Sequence, residues 1–153
     1  MRIEVIIRNA IGTALVIGLA GCGGMGEMSS AKGAMSLFEQ VGGMEQIKSL
    51  SSNFVNNVAA DSRTSKMVAN ADKGSLTSKL SNQLCALTGG GCPAPLTDAQ
   101  IAEGAKKVDT STTNALNDSF SKAVTSLSSP SVVKDTLTKA VGPKLGGIVG
   151  ALM

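Results

Sequence analysis

Residues 44–58 read M-E-Q-I-K-S-L-S-S-N-F-V-N-N-V, and their apolar residues recur every three or four positions. This spacing places the apolar side chains on a single face of a helix. The residues that share the face are Met44, Ile47, Leu50, Phe54 and Val58. Polar residues fill most of the positions between them, so the stretch predicts an amphipathic helix with one buried face.

The same periodicity continues on the next stretch of the chain. Four leucines share one helical face and end before a run of three glycines, which is a strong helix stop. They are Leu76, Leu80, Leu84 and Leu87. Thr97 followed by Gln100 is a capping-box pattern, which predicts a short helix from Thr97 to about Lys107.

The C-terminal part of the chain predicts two more helices. Residues 111–128 place apolar side chains on one face, among them Leu116 and Phe120. Pro130 suits the first position of the next helix, and Pro143 is expected to kink it. The chain has no β-strand pattern and no internal repeat, so the predicted fold class is all-α with short connections.

The composition excludes some function classes. The chain has 153 residues, a net charge of +3 and only 2% aromatic residues, without Trp or Tyr. The basic residues form no run, and the aromatic residues are too few for base-stacking surfaces, so nucleic acid is not an expected partner. The length suits one domain of ordinary size.

The N-terminal residues resemble a bacterial lipoprotein signal peptide. Arg2 and Arg8 precede an apolar segment of about a dozen residues, shorter than the roughly 20 that span a bilayer. L-A-G-C at residues 19–22 then resembles a lipobox. The resemblance implies that Cys22 is lipidated and begins the mature chain. A transmembrane anchor or an ordinary secretory signal are the alternatives.

This resemblance divides the chain into three parts. Residues 1–21 are the predicted signal peptide, 22–35 the lipidated Cys22 with a flexible tether, and 36–153 the folded domain. Two or more acyl chains make a stable anchor, so the membrane is an expected partner. Gly23 after the cysteine, in place of an acidic residue, favours the periplasmic face of the outer membrane by resemblance to enterobacterial sorting.

Cys85 and Cys92 are the remaining cysteines, and they predict a disulfide. An extracytoplasmic domain keeps disulfides, and the three glycines between the cysteines allow the chain to turn back. The alternatives are two free thiols or a metal pair. We expect no metal site, because the chain has no His and no further Cys to complete one.

The residue types also argue against catalysis. A Ser-His or Cys-His pair is impossible in a chain without His. The acidic residues stand singly, as Glu39, Glu45, Asp72 and Glu103 do, at positions that suit exposed helix surfaces. The run G-G-G-C at 89–92 lacks the Lys of a phosphate-binding loop. We therefore predict that the protein is not an enzyme and has no catalytic residues.

Four stretches together resemble the truncated bacterial haemoglobins, specifically the group 1 two-on-two globins. They are S-L-F-E-Q-V-G-G at 36–43, A-A-D-S-R at 59–63, L-C-A-L-T-G-G at 84–90 and D-T-L-T-K-A-V-G-P-K-L-G-G-I-V at 135–149. Their order and spacing cover residues 36–150 with few gaps. The resemblance implies a shortened globin fold, with two helices packed over two around a pocket.

The same resemblance implies that the haem-binding positions of this chain have lost their chemistry. Ala105 stands where the family carries its iron-binding histidine, and a methyl group cannot ligate a metal. Val55 replaces a tyrosine that hydrogen-bonds oxygen, and Leu80 replaces a polar distal residue. Met67 and Val68 stand where phenylalanines wedge the haem. We therefore expect no cofactor.

The predicted function is a membrane-anchored, haem-less globin-like module with a structural, sensing or partner-binding role. Its apolar pocket positions either fill the core or leave a smaller pocket. One alternative is a haem-binding oxygen or nitric-oxide globin with a ligand other than histidine. Another is a carrier of a small apolar ligand in the remodelled pocket.

Overall fold

Residues 35–153 are described by a computed structural model, in which every regular element of this range is a helix. The elements are α1 (Leu37–Val41), α2 (Gly43–Ala60), α3 (Ser65–Val68), α4 (Lys73–Leu87), α5 (Asp98–Lys106), α6 (Thr110–Thr125) and α7 (Ser131–Leu152). The predicted all-α class is confirmed. The predicted signal peptide, Cys22 and nearly all of the predicted tether lie outside the described residues.

Two glycines set the angle between α1 and α2. Gly42 has φ +112° and Gly43 has φ +74°, both in the left-handed region that side chains avoid. Before them, Ser36 and Glu39 form a capping box that starts α1. The run S-L-F-E-Q-V-G-G therefore encodes a short helix, its start and an abrupt turn.

The centre of the core lies where α2 packs against α4 and α6. The predicted apolar face of α2 is buried except for the half-buried Met44. Phe54 on α2 meets Phe120 on α6 edge to face, with ring centroids 5.8 Å apart. Aliphatic side chains from α4 and α7 complete a single hydrophobic cluster around this pair.

Side-chain caps start the next helices where the sequence predicts them or close by. The Thr97 hydroxyl accepts from Gln100 N, and the Gln100 side chain accepts from Thr97 N, so the predicted capping box starts α5. The Asp109 carboxylate accepts from Thr112 N at 2.7 Å and starts α6. These caps satisfy backbone N–H groups that have no partner within the helix.

The predicted boundaries need three adjustments. A short helix, α3, lies at residues 65–68, where a polar connection was expected. The helix over 111–128 ends earlier, at Thr125, although Leu127 beyond it is still buried. Pro130 is the residue before α7 and not its first helical residue, and α7 continues past Pro143 to Leu152.

The longest helix, α7, packs against both α5 and α6, and α5 makes most of its contacts with α7. The second half of α7 is buried almost without interruption from Leu145 to Gly150. In residues 35–153, no helix combines the length and apolar character needed to cross a membrane.

Candidate functional site

The structure brings four of the five predicted pocket positions into one core. Val55 and Val68 are each 2% exposed and Leu80 is 1% exposed, and all three belong to the main hydrophobic cluster. Met67 is half-buried and packs against the same cluster. Aliphatic groups in this environment stabilise the folded domain by dispersion and by the exclusion of water.

Ala105, the residue that the resemblance matches to the family's iron-binding histidine, is exposed and does not face the core. The inward face of α5 instead carries Ile101 and Gly104, which are three residues apart and both buried. Ala105 follows Gly104 and points away from the core because one residue turns a helix by about 100°. The side chain at position 105 therefore contributes nothing to an internal site.

Three glycines let α5 and α7 touch backbone to backbone. A Cβ built on Gly104 would lie 2.5 Å from Ala151 N and would overlap the Gly147 carbonyl oxygen. A Cβ on Gly147 would overlap the Ile101 carbonyl, and one on Gly150 would overlap the Gly104 carbonyl. We call Gly104, Gly147 and Gly150 the glycine contact. It leaves no room for a side chain between the two helices.

The disulfide between Cys85 and Cys92 closes a loop after α4, with the two Cα atoms 5.7 Å apart. Within this loop, a Cβ on Gly90 would lie 2.5 Å from Cys85 Sγ and 2.6 Å from the ring of Phe38 on α1. The Phe38 N–H donates to the Thr88 carbonyl at 2.9 Å. The disulfide loop is therefore one of the surfaces against which α1 packs, besides α2 and α7.

Met67 is the predicted pocket residue that reaches a surface depression. It lines a groove of about 300 Å³ together with Leu76, Lys79 and Leu152. The groove lies between α4, the α3 region and the end of α7, and it is open to solvent. A groove of this size is at the lower limit of small-molecule sites.

One charged cluster joins the end of α2 to α6. The Arg63 guanidinium bonds Asp61 at 2.7 Å and Asp118 at 3.3 Å. The hydrogen bond from the Arg63 side chain lowers the pKa of Asp61 from 3.8 to about 2. The cluster lies at the surface, where Arg63 is 47% exposed, and its two ion pairs connect the residue that ends α2 with α6.

The acidic residues that the sequence analysis placed on helix surfaces are exposed, as expected. Glu39 belongs to the capping box of α1, and Asp72 accepts from Gly74 N to start α4. Glu103 pairs with Lys106 on the outer face of α5. In residues 35–153, no group of three or more His, Cys, Asp or Glu could hold a metal ion.

A short helical domain with its second helix packed against the fourth and sixth has the architecture of a truncated globin. The model of the bacterial-like globin family matches residues 36–142, and the chain belongs to this family. Two solved structures share the fold, both mutants of the truncated hemoglobin from Tetrahymena pyriformis in the Fe(III) form. None of the curated proteins matches the sequence.

The likeness to the two solved structures is one of fold. Each is 20% identical to this chain. Each match spans 70% of this chain and 92% of the truncated hemoglobin chain. The TM-scores are 0.62 and 0.60. The predicted truncated-globin fold is therefore confirmed, and the fold is retained at low sequence identity.

The globin family raises the question of haem, which such proteins hold through an axial side chain. The chain has no His, and the Cys85 sulfur is committed to the disulfide. Val55 and Leu80, the positions that the resemblance places beside a bound ligand, are enclosed by other core side chains. The residues described here do not fit a haem group held in the usual globin manner.

The glycine contact is the feature that sequence reasoning missed. Helical patterns are read from apolar side chains, and glycine has none, so the inward face of α5 did not stand out. The available signal was the spacing of Gly147 and Gly150 in an otherwise apolar helix. Glycine inside a helix is unfavourable, and its presence there indicates a close approach of another backbone.

Proposed function

We propose that this chain is a lipid-anchored member of the bacterial-like globin family that works without haem. Its role is non-enzymatic, as a structural or partner-binding module at the surface of a bacterial membrane. The anchor is Cys22, and the partner is a protein or small apolar molecule of the cell envelope. The outer membrane, on its periplasmic side, is the proposed location.

The burial of Leu80 and Val55 is the observation that supports this proposal. Both side chains are at most 2% exposed and lie in the same cluster as Phe54 and Phe120. A porphyrin in this place would have to displace packed aliphatic groups, at the cost of their transfer free energy. No histidine is present to offset that cost by binding iron.

Hemin titration of residues 35–153 tests the proposal. This range forms one compact unit with its own core. We expect only the broad absorbance of free hemin at every ratio, with no sharp Soret band and no change in melting temperature. A sharp band that saturates at one hemin per chain would contradict the proposal. In that case Lys106→Ala, Lys107→Ala and Met67→Leu would identify the ligand by loss of the band.

A carrier of a small apolar ligand is the second candidate, and the groove beside Met67 favours it. Its walls include Leu76 and Leu152 beside Lys79, which would pair with an acidic head group. Polar residues, among them Asn70, Asp72 and Ser75, form the rest of the lining. Native mass spectrometry of the purified domain would show a co-purifying lipid in this case. A Met67→Lys variant should then lose that mass, whereas Met44→Lys, in a groove between α2 and α4, should keep it.

A further inference from the structure

The approach between α5 and α7 is closer than side-chain packing allows. Helix pairs in soluble proteins usually have axes 8–10 Å apart, with side chains between them. At the glycine contact, even a methyl group on Gly104, Gly147 or Gly150 would overlap a backbone carbonyl of the facing helix. The sequence must therefore keep glycine at all three positions to keep this geometry.

The part of α7 that makes the contact lies beyond the range that matches the family. The family model ends at residue 142, whereas Gly147 and Gly150 lie farther along the same helix. The contacts between α5 and α7 are also the most extensive between any two helices of residues 35–153. The position of α5 is thus determined chiefly by the end of α7, beyond residue 142.

The rest of α5 has few other attachments. Its outer face, which includes Ala102, Ala105 and Lys106, is exposed, and its inner face has one large side chain, Ile101. A nine-residue helix is too short to persist by itself in water. Without the contact to α7, the α5 segment would therefore be unfolded.

We propose that the glycine contact holds α5 in the folded domain by helix packing alone, without any bound group between α5 and the rest of the fold. The end of α7 supplies the surface that α5 needs to remain helical. Folding of α5 then depends on the three glycines and is independent of added ligand. This proposal goes beyond the proposed function, because it concerns how the helix is held and not what the protein binds.

Substitution of one helical glycine at a time tests this proposal in residues 35–153. Gly147→Ala should lower the melting temperature by at least about 5 °C, because the methyl group forces the helices apart. Gly142→Ala is the matched control on the same helix, since its Cβ would lie 3.7 Å from Asn117 Oδ1. The control should melt at the same temperature or higher, because alanine favours a helix.

Hydrogen exchange supplies the second measurement and applies to the unsubstituted domain. Amides of residues 102–106 should be protected from exchange without any added ligand. Gly147→Ala should reduce the protection of these amides at least about 10-fold and should change the protection of the α2 amides less. A variant that does not fold, beside a control that does, also supports the proposal. Unprotected α5 amides in the unsubstituted domain, or equal stability of Gly147→Ala and Gly142→Ala, would overturn it.

The two proposals can fail separately in these experiments. Saturating hemin binding by the unsubstituted domain would contradict haem-independent function, whatever the glycine variants do. If Gly147→Ala leaves the melting temperature unchanged and the domain binds no hemin, the proposal on the glycine contact is overturned. The proposed function is not affected by that result. The comparison therefore assigns each failure to one proposal.

Discussion

Leu80 is enclosed by the core, so removing most of its side chain would leave a cavity. Its exposure is 1%, and it packs in the cluster that surrounds Phe54 and Phe120. We expect Leu80→Ala to lower the free energy of unfolding by about 2–5 kcal/mol, measured by chemical denaturation. Ala105→Ser on the exposed face of α5 is the control and should change it by less than about 0.5 kcal/mol. Equal changes in the free energy of unfolding would contradict the assignment of Leu80 to the core and of Ala105 to the surface.

These two positions also show what residue-level reasoning from the sequence achieves. Leu80 was placed correctly in the interior, because it belongs to a regular series of leucines on α4. Ala105 is matched to the family's histidine by resemblance alone, and no periodic pattern indicates on which side of the helix it lies. Alanine is common on both faces of helices, so its identity could not reveal the difference.

The Asp61–Arg63 pair predicts a pH dependence at the acidic end. The pKa of Asp61 is lowered to about 2 from 3.8, so its ionised form is favoured by folding. The stabilisation is complete above about pH 4 and is lost as the pH falls towards 2. In Arg63→Gln, an NMR titration should show the pKa of Asp61 rising towards 3.8, because the guanidinium that bonds the carboxylate is gone.

A second surface cation, Lys106, provides the control for the Asp61 titration. Lys106→Gln removes a surface cation whose salt bridge is to Glu103 on α5, and it should leave the Asp61 titration unchanged. An Asp61 pKa that stays near 2 in Arg63→Gln would mean that another group, first the backbone N–H of residue 63 and then Lys122, stabilises the carboxylate. The Arg63 side chain would then not account for the lowered pKa of Asp61.

At the scale of single elements, α5 depends on its N-terminal cap. Thr97 Oγ1 accepts from Gln100 N at 3.3 Å, and Gln100 Oε1 accepts from Thr97 N at 2.9 Å. Thr97→Ala should cost about 1 kcal/mol of stability, because it leaves an N–H of the first turn without this partner. Thr97→Ser keeps the hydroxyl and should cost much less. If both variants unfold at the same denaturant concentration, the cap contributes nothing.

The disulfide is predicted to stabilise both its own loop and α1. On the chain-entropy account, closing so short a loop contributes about 2–3 kcal/mol. Cys85→Ala with Cys92→Ala should therefore lower the free energy of unfolding by a similar amount. Because Phe38 lies against Gly90 of this loop, α1 amides should also exchange faster. Reductant should reproduce these effects in the unsubstituted domain and change nothing in the double variant.

The helices differ in how far the sequence predicts them, for physical reasons. Those with long apolar faces, such as α2 and α4, were predicted with nearly correct ends, because periodicity and glycine stops act locally. The four-residue α3 carries too few residues to show a period. The contact of α5 with α7 depends on glycines, which carry no apolar side chain and therefore leave no hydrophobic period.

At the scale of the whole molecule, the domain keeps the globin arrangement while its interior differs from a haem pocket. The family model covers residues 36–142, yet the chain contains no histidine. Packed aliphatic and aromatic side chains and the glycine contact together account for the closed interior. Under the proposed function, the globin fold is kept without haem chemistry, since function resides in a site and not in the fold.

The proposed lipid anchor at Cys22 would determine where this domain acts, and it gives the last prediction. If Cys22 of the lipobox L-A-G-C is processed, full-length protein expressed in a Gram-negative bacterium should partition into detergent. Its N-terminal peptide should begin at Cys22 and carry acyl groups in mass spectrometry. Cys22→Ala should keep residues 1–21 and incorporate no labelled palmitate. An unmodified mature N-terminus at another residue would show an ordinary secretory signal and would remove the membrane from the proposed function.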